Sequence, residues 1–206
     1  YRRISGENFF SYTGIDIYKN KKFPKEFTHV LDDAINSSLY LKEHNFITSQ
    51  SGLEHIEKDL FVLEKITNSL CSKKKPFIQI HLVPATASLF LYLWHGWRIY
   101  SKRNFGAISK LLVSSNDINT KLVPLGGRAS FIAHFKYITL SKIFKMRDRK
   151  NWTIEGTKAS NKIKSAIFHD KNANDKFPLF WAFIITSKEI NIESLFQETK
   201  GIDLNG

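Results

Sequence analysis

A nine-residue run at positions 89–97 constrains this chain most, because seven of its nine side chains are large and apolar or aromatic. It reads Leu-Phe-Leu-Tyr-Leu-Trp-His-Gly-Trp, with Pro84 before it and Arg98 after it. A run this short and this apolar predicts a β-strand that is buried on both faces. Gly96 permits a sharp bend at its exit. A helix-like segment and a second apolar run at 121–125 follow, so we expect a strand–helix–strand unit.

The totals favour a folded chain with an acidic partner. Hydrophobic residues make up 42% of the 206 residues, which is enough for a core and argues against wholesale disorder. Lysine and arginine outnumber aspartate and glutamate by 31 to 19, and the net charge of +12 favours nucleic acid, an anionic membrane surface or an acidic protein as partner. The single cysteine, Cys71, excludes an intrachain disulfide and fits a reducing compartment. The chain starts at Tyr1 rather than Met, which favours a fragment or a processed form.

Periodicity assigns most of the other segments. Residues 26–41 have an apolar spacing near that of a helix, whereas 53–70 fit a helix or a strand equally well. Residues 77–83 alternate as a strand does, and Ser101 is a suitable N-cap for a helix over 101–113. For the remainder we expect one bent or two short strands over 1–18, an irregular basic linker over 141–176, an apolar segment over 177–186 and a final helix over 189–199.

Motifs of known chemistry are absent from the sequence. It contains no Gly-x-Gly-x-x-Gly, no phosphate-binding loop, no His-Glu-x-x-His and no Gly-x-Ser-x-Gly. The seven histidines are scattered without a metal-type pair. Glu54 and Glu57 lie on an amphipathic segment, where a solvated face is the simpler interpretation. We therefore expect no catalytic residue, no metal site and no cofactor.

Basic runs interleave with aromatic residues at two places. Trp97 and Tyr100 accompany the run from Arg98 to Arg103, and Trp152 lies beside the run over 142–150. Such a pattern can bind nucleic acid, with cations on phosphates and rings on bases. In the alternative the cations only solvate loops while the rings pack in the core, and for Trp97 we favour the core or a domain junction.

Several segments occur in an order that resembles a known superfamily. They are Tyr1–Tyr12 with its early Ser-Gly, Leu53–Leu63 with Asp59 before an apolar stretch, Leu91–Trp97 with its Tyr-Leu-Trp-x-Gly pattern, the helix 101–113, the strand 121–125, and Gly126 with Phe131 and Phe135. Over residues 1–138 this order is similar to the gelsolin/villin superfamily, and most nearly to its supervillin-like members.

The resemblance implies an α+β fold in which a mixed sheet lies between a long helix (101–113) and a short one (near 128–137). Residues 1–138 would form that gelsolin-like domain, and 139–206 an irregular, basic C-terminal extension. The implied function is a non-enzymatic cytoskeletal binding module, located in the cytoplasm on the cytoskeleton or at a membrane.

The resemblance also implies a degenerate calcium site. Where the superfamily carries an acidic residue early in the long helix, this chain has Lys102, Arg103 and Asn104. Oxygen ligands are hard to assemble around positive charges, so we expect no calcium even though Asp59 resembles the other acidic position.

The same basic face would bind the partner, actin or another acidic protein surface, with anionic membrane lipids as a further option. We expect Lys102, Arg103 and Lys110 to attract the partner electrostatically, and Trp97 and Arg98 to contact it at the edge.

Two other functions stay open on the residues alone. A nucleic-acid-binding or ribonucleoprotein subunit would use the basic tail over 139–176, which could become ordered on a polyanion. An enzyme, a nuclease or a transferase, would need a deep pocket with perturbed carboxylates.

Overall fold

The computed structural model describes residues 12–18, 27–39, 42, 44–91, 98–115, 117–140, 158–171, 177–195 and 202–203. The strands are β1 (Thr13–Asp16), β2 (Thr28–Leu31), β3 (Phe46–Gln50), β4 (Ile78–Pro84), β5 (Ile118–Leu125), β6 (Phe180–Ser187) and β7 (Ile202–Asp203). The α-helices are α1 (Asp59–Ser72), α2 (Lys102–Ser115), α3 (Arg128–His134), α4 (Lys158–Lys171) and α5 (Ile192–Leu195). Two 3₁₀ turns, Leu53–His55 and Thr86–Phe90, follow β3 and β4, and a π-helical turn, Phe135–Thr139, extends α3.

A five-stranded mixed sheet in the order β3-β4-β6-β5-β7 organises the fold, and β1 and β2 form a separate parallel pair. β3 pairs parallel to β4, whereas β6 runs antiparallel to both β4 and β5. β4 and β5 therefore point the same way as β3, with β6 inserted between them. Ile184 of β6 lies opposite Ile80 of β4 and Lys121 of β5, which fixes the register.

The main core lies between one face of this sheet and helices α1 and α2. The two helices contribute buried residues at helical spacing, among them Leu63 and Leu70 of α1 and Phe105 of α2. Phe105 packs its ring 4.8 Å from that of Phe183 in the central strand and 5.2 Å from that of Tyr100. The α2 N-terminus follows from its sequence, because the Ser101 hydroxyl accepts the backbone N–H of Asn104 at 3.2 Å.

A row of hydrogen-bonded polar side chains crosses this apolar core. Gln79 Nε2 donates to Thr67 Oγ1 at 3.1 Å, and Gln79 Oε1 lies 3.2 Å from His81 Nε2. His81 Nδ1 lies 2.9 Å from the Ser49 hydroxyl. If Nε2–H donates to Gln79, Nδ1 accepts from Ser49, so a neutral imidazole satisfies both ring nitrogens. Burial lowers the pKa of His81 to about 4, consistent with a ring that stays neutral.

A buried carboxylate from α4 caps helix α3. Asp170 accepts the backbone N–H of Ala129 at 3.1 Å and that of Ser130 at 2.7 Å, and it is almost fully buried. These are two of the N–H groups that the first turn of a helix leaves without an intrahelical partner. Gly127 makes the approach possible, since a Cβ at this position would lie 2.9 Å from Asp170 Cγ.

The coarse α+β class with a mixed sheet and helices is confirmed, and so are the strand over 77–83, the helix over 101–113 and helical residues after the glycine pair. The segment 53–70, left open between helix and strand, is helical from Asp59. The apolar segment over 177–186 forms the central strand.

Three sequence predictions are wrong within the described residues. The helix expected over 26–41 is replaced at 28–31 by strand β2, whose backbone pairs with β1. The buried strand expected at 89–97 does not begin as one, because Thr86–Phe90 forms a 3₁₀ turn, while residues 92–97 lie outside the described residues. The linker expected over 141–176 contains helix α4, which packs on α3.

The division into domains at residue 138 stays a prediction. The sheet nevertheless draws β6, from beyond that boundary, between β4 and β5.

Alanine substitutions at two glycines, Gly127 and Gly106, give a matched test of the α3 cap. We expect Gly127→Ala to cost about 1–3 kcal/mol of unfolding free energy, because the new methyl group displaces the buried, doubly bonded Asp170. Gly106→Ala, in the interior of α2 with open space around its Cβ position, should instead stabilise by about 0.5–1 kcal/mol. Urea unfolding at pH 7 measures both, and equal effects of the two substitutions would contradict the packing at Gly127.

Acid should destabilise the fold through the buried His81 and the half-buried His134. The folded-state pKa of His81 is about 4 against an ordinary value of 6.5, so the unfolded chain binds more protons between these pH values. The stabilisation is complete above pH 6.5 and is lost as the pH falls toward 4, by on the order of 3 kcal/mol. Burial lowers the pKa of His134 to about 4 as well, which steepens the loss.

Urea unfolding at intervals from pH 8 to pH 4 measures this dependence. His81→Gln should flatten it by about one proton. An unchanged slope in that variant would show that His81 does not titrate on unfolding.

Candidate functional site

The carboxyl ends of the parallel strands β3 and β4 meet at one edge of the sheet, and a polar cluster lies there. β3 ends at Gln50 and leads into the 3₁₀ turn that carries Glu54. β4 ends at Pro84, whose carbonyl accepts the backbone N–H of Tyr100 at 3.3 Å. Ligands of open α/β sheets bind outside the carboxyl ends of strands. We call Glu54, Asp59, Arg98 and Tyr100 the carboxyl-edge cluster.

Asp59 is the centre of this cluster, and both of its carboxylate oxygens have hydrogen-bonding partners. Its Oδ2 accepts a 2.5 Å hydrogen bond from the Tyr100 hydroxyl and lies 3.1 Å from Arg98 Nε. Its Oδ1 accepts the backbone N–H of Leu60 at 2.8 Å. The carboxylate is 1% exposed, whereas the Arg98 side chain is 36% exposed. Asp59 is therefore a buried charge with a partner that reaches solvent.

Tyr100 is held as a neutral phenol. It is fully buried against Phe105, and burial raises its pKa well above the ordinary value. The hydrogen bond to Asp59 and the charges of Asp59 and Glu54 raise the pKa further, while Arg98 opposes them. Its hydroxyl therefore stays a donor, and Asp59 accepts from it.

Glu54 differs from Asp59 because part of its carboxyl group has no partner. The residue is 2% exposed, and its Oε2 makes no hydrogen bond to the protein. Burial raises the pKa of the carboxyl group, an effect that a backbone hydrogen bond and the nearby His55 only partly offset. A buried carboxylate oxygen without a donor is costly, so it marks a place where a ligand could gain binding energy.

The structure places the sequence-predicted site residues unevenly. Arg98 joins the cluster through Asp59. Lys102 and Arg103 are exposed on the first turn of α2, and Lys110 is exposed two turns further on. Trp97 lies outside the described residues. Their role in binding a partner stays a prediction.

Sequence reasoning missed Glu54 and Tyr100. The solvated face predicted for Glu54 and Glu57 holds only for Glu57, which is exposed. The difference comes from the 3₁₀ turn after β3, which directs the first glutamate inward and which no periodicity signals. Tyr100 lies within the basic run from Arg98 to Arg103, which was interpreted mainly by its positive charge. Nothing in the sequence indicated that Tyr100 lies beside Asp59.

A second candidate lies at the opposite edge of the sheet. A cavity of about 360 Å³ is lined by the start of β5 and the segment after β6. Its buried Lys121 already binds Glu193, with Nζ 2.6 Å from Oε2. The carboxyl-edge cluster, with an unpaired carboxylate, is the stronger candidate.

Within the described part of the chain, no group of three or more histidine, cysteine or acidic side chains could hold a metal ion. No helix in that same part has both the length and the apolar content needed to cross a membrane.

Comparison with known proteins finds a likeness of fold only. Neither a protein-family model nor a curated protein sequence matches the chain. Among solved structures, the plantazolicin methyltransferase BamL, in complex with a triazolic desmethylPZN analog and SAH, is similar with a TM-score of 0.53 and 12% identity over 87% of this chain and 69% of that one.

Two structures of the plantazolicin methyltransferase BpumL, with SAH and a triazolic or a pentazolic analog, give similar values. The triazolic complex has a TM-score of 0.51 and 14% identity over 86% of this chain and 67% of that one. The pentazolic complex has 0.52 and 15% over 86% and 68%.

These likenesses correct the gelsolin-like identification, which is wrong. Its expected strand at 89–97 starts as a 3₁₀ turn, and the long helix it placed alone on one side of the sheet shares that side with α1. The actin or cytoskeletal partner and the actin-binding function were drawn from that resemblance and fall with it.

The remaining functional expectations are corrected by the same finding. The nucleic-acid alternative is overturned, since the neighbours are methyltransferases in complex with SAH and azole-containing analogs. The expectation that the chain is no enzyme is overturned by these enzyme neighbours as well.

The hydrogen bond from Tyr100 to Asp59 can be measured by a double-mutant cycle. Because it joins a phenol to a buried charge, we expect Tyr100→Phe to cost about 1.5–3 kcal/mol of unfolding free energy. The cost should shrink by at least about 1 kcal/mol in an Asp59→Asn background.

Urea unfolding gives all the values of this cycle. Tyr18→Phe, at a tyrosine that is 75% exposed, is the matched control and should change stability by less than about 0.5 kcal/mol. Strictly additive costs of the two substitutions would contradict the contact.

Proposed function

We propose that this chain acts in methyl transfer from S-adenosylmethionine to a small molecule or a peptide. The support is the fold it shares with three methyltransferase structures, each of which holds SAH and an azole-containing analog. SAH, S-adenosylhomocysteine, is what the donor becomes after it has lost its methyl group.

The carboxyl-edge cluster is the single observation that carries the proposal. It gathers two buried carboxylates, a buried phenol and a half-exposed guanidinium where β3 and β4 end. This is the edge at which α/β sheets bind their ligands, and buried titratable groups concentrate at sites of chemistry.

The residues present fit only one end of the methyl donor. S-adenosylmethionine carries a positively charged sulfonium and an ammonium, and the partnerless carboxylate of Glu54 suits either. Its nucleoside end needs a close approach of backbone, which α/β nucleotide sites provide with a Gly-x-Gly turn. The sequence contains no Gly-x-Gly. The chain's own residues therefore account for a charged corner, and the nucleoside end is not assigned to any of them.

Each member of the cluster has a distinct part in this proposal. Tyr100 and Arg98 hold Asp59 in one position, which fixes the start of α1 beside the site. Glu54 faces the ligand. Lys102 and Arg103, exposed on the first turn of α2, would attract anionic parts of a substrate to the same edge.

Transfer of labelled methyl groups tests the proposal. The purified chain is incubated with S-adenosylmethionine labelled at the methyl group and a panel of azole-containing peptides, amines and phenols, and the label in the acceptors is counted. We expect incorporation above that of heat-denatured protein. Arg98→Gln should reduce it about 10-fold or more, because Asp59 loses its partner and the site shifts.

A second variant that also loses one positive charge, but far from the cluster, controls for the change in net charge. Lys75→Gln, in the exposed turn before β4 at the opposite edge, should leave the transfer unchanged. Absence of incorporation from every acceptor, together with no SAH binding by calorimetry, would refute the proposed function.

A further inference from the structure

Glu54 is the one carboxylate of the carboxyl-edge cluster whose hydrogen-bonding capacity is unmet. The residue is 2% exposed and its Oε2 has no partner in the protein. Native folds rarely leave a buried charged oxygen in that condition, because the desolvation cost is not repaid. In this protein the unpaired oxygen lies near the carboxyl ends of β3 and β4, the edge at which α/β sheets bind their ligands.

The neighbours of Glu54 are already committed to other contacts. Asp59 uses the Tyr100 hydroxyl and Arg98 Nε, so neither donor is directed to Glu54. The charge of Glu54 nevertheless acts on the Tyr100 hydroxyl and raises its pKa, which places the two carboxylates in one electrostatic environment. The cluster thus contains two carboxylates and one guanidinium, which is paired with Asp59, and it carries a net negative charge when both carboxylates are ionised.

The charge of this cluster is opposite in sign to the net charge of the chain. The protein carries a net charge of +12, so its surface as a whole attracts anions. A cation is attracted only where acidic groups are concentrated and sheltered from screening, because a buried carboxylate is screened less than an exposed one. Burial raises the pKa of the Glu54 carboxyl group, and a bound cation would reverse that effect.

We infer that Glu54 binds a positively charged group of a ligand, a sulfonium or an ammonium, through its partnerless Oε2. Either the methyl donor or the acceptor could supply this cation, and the inference rests on the proposed function for naming these two sources. The contact is charge-assisted and replaces the water that Glu54 lost on folding.

Calorimetric titration with three probes tests the inference and separates the sources. S-adenosylmethionine and SAH differ by the sulfonium charge, and n-butylammonium stands for a cationic acceptor, with neutral butyramide as its control. Glu54→Gln removes the charge and keeps the shape, while Glu57→Gln makes the same change at an exposed position three residues away.

Two results support the inference. If the cation comes from the donor, the wild-type protein and Glu57→Gln bind S-adenosylmethionine about 10-fold or more tightly than SAH, and Glu54→Gln loses that preference. If it comes from the acceptor, n-butylammonium binds and butyramide does not, and Glu54→Gln binds n-butylammonium at least 10-fold more weakly.

Other results overturn it. Binding of every probe within twofold between Glu54→Gln and the wild-type protein would refute a role for this carboxylate, even where SAH binding upholds the proposed function. Conversely, Glu54-dependent binding of n-butylammonium without any binding of S-adenosylmethionine or SAH would keep the inference and count against the proposed function. Failure of all three probes to bind refutes both.

A measurement on the unsubstituted protein covers the case in which Glu54→Gln does not fold. The carboxyl ¹³C resonance of Glu54, followed by pH titration, should show a pKa that falls when the bound probe is present. A pKa that is the same with and without saturating probe would overturn the inference.

Discussion

The insertion of β6 between β4 and β5 is the constraint on which the rest of the fold depends. The chain leaves β4 through α2 and returns in β5, which is parallel to β4 and lies two places along the sheet, so that one place between them is left open. Only a strand in the intervening place can satisfy the facing edges of both, since unpaired backbone groups in a core are costly. β6 fills it with a nearly continuous run of buried residues, including Phe183, Ile184 and Ile185, each of which contributes about 1.5–3 kcal/mol by burial.

This insertion also positions the candidate site. With β6 in the centre, β4 is paired on both sides, and its carboxyl end at Pro84 is held in register with Phe180. The backbone then continues to Ala85, which bridges to Tyr100 and so brings Arg98 to Asp59 at the start of α1. Backbone pairing therefore brings the segments of the cluster together, and the geometry of the cluster follows from that of the sheet.

Much of the fold could be predicted from local signals, and the failures have physical reasons. α2 was predicted because Ser101 is a suitable N-cap, and in the structure its hydroxyl accepts the backbone N–H of Asn104; β4 was predicted because its sequence is typical of a strand. The run at 89–97 was misread because the periodicity of a short apolar run does not separate a strand from a helical turn, and Thr86–Phe90 forms a 3₁₀ turn. β2 was missed because its four residues sit in a segment whose apolar spacing is close to that of a helix, and pairing with β1 decides the outcome.

The candidate site was predictable only in part, for a related reason. Asp59 and Arg98 both drew notice in the sequence, one for its place before an apolar stretch and the other for its charge, but nothing local joins residues so far apart. Parallel pairing of β3 with β4 brings their carboxyl ends together, and this is a non-local fact. The inward direction of Glu54 depends on the 3₁₀ turn at Leu53–His55, which follows the end of β3 at Gln50.

The charge of the chain and the charge of its candidate site act over different distances. Exposed cations such as Lys102 and Arg103 set the sign of the field that an approaching ligand meets, and salt weakens that field beyond roughly 8 Å at physiological ionic strength. The buried carboxylates act most strongly on a group that has already entered the site, where little solvent intervenes. A ligand with an anionic part and a cationic part would be attracted by both sets of charges. Its anionic part would lie near the exposed lysine and arginine side chains, and its cation would lie at Glu54. A purely anionic polymer would be attracted only by the exposed cations, so the net charge alone is a poor guide to the ligand of this site.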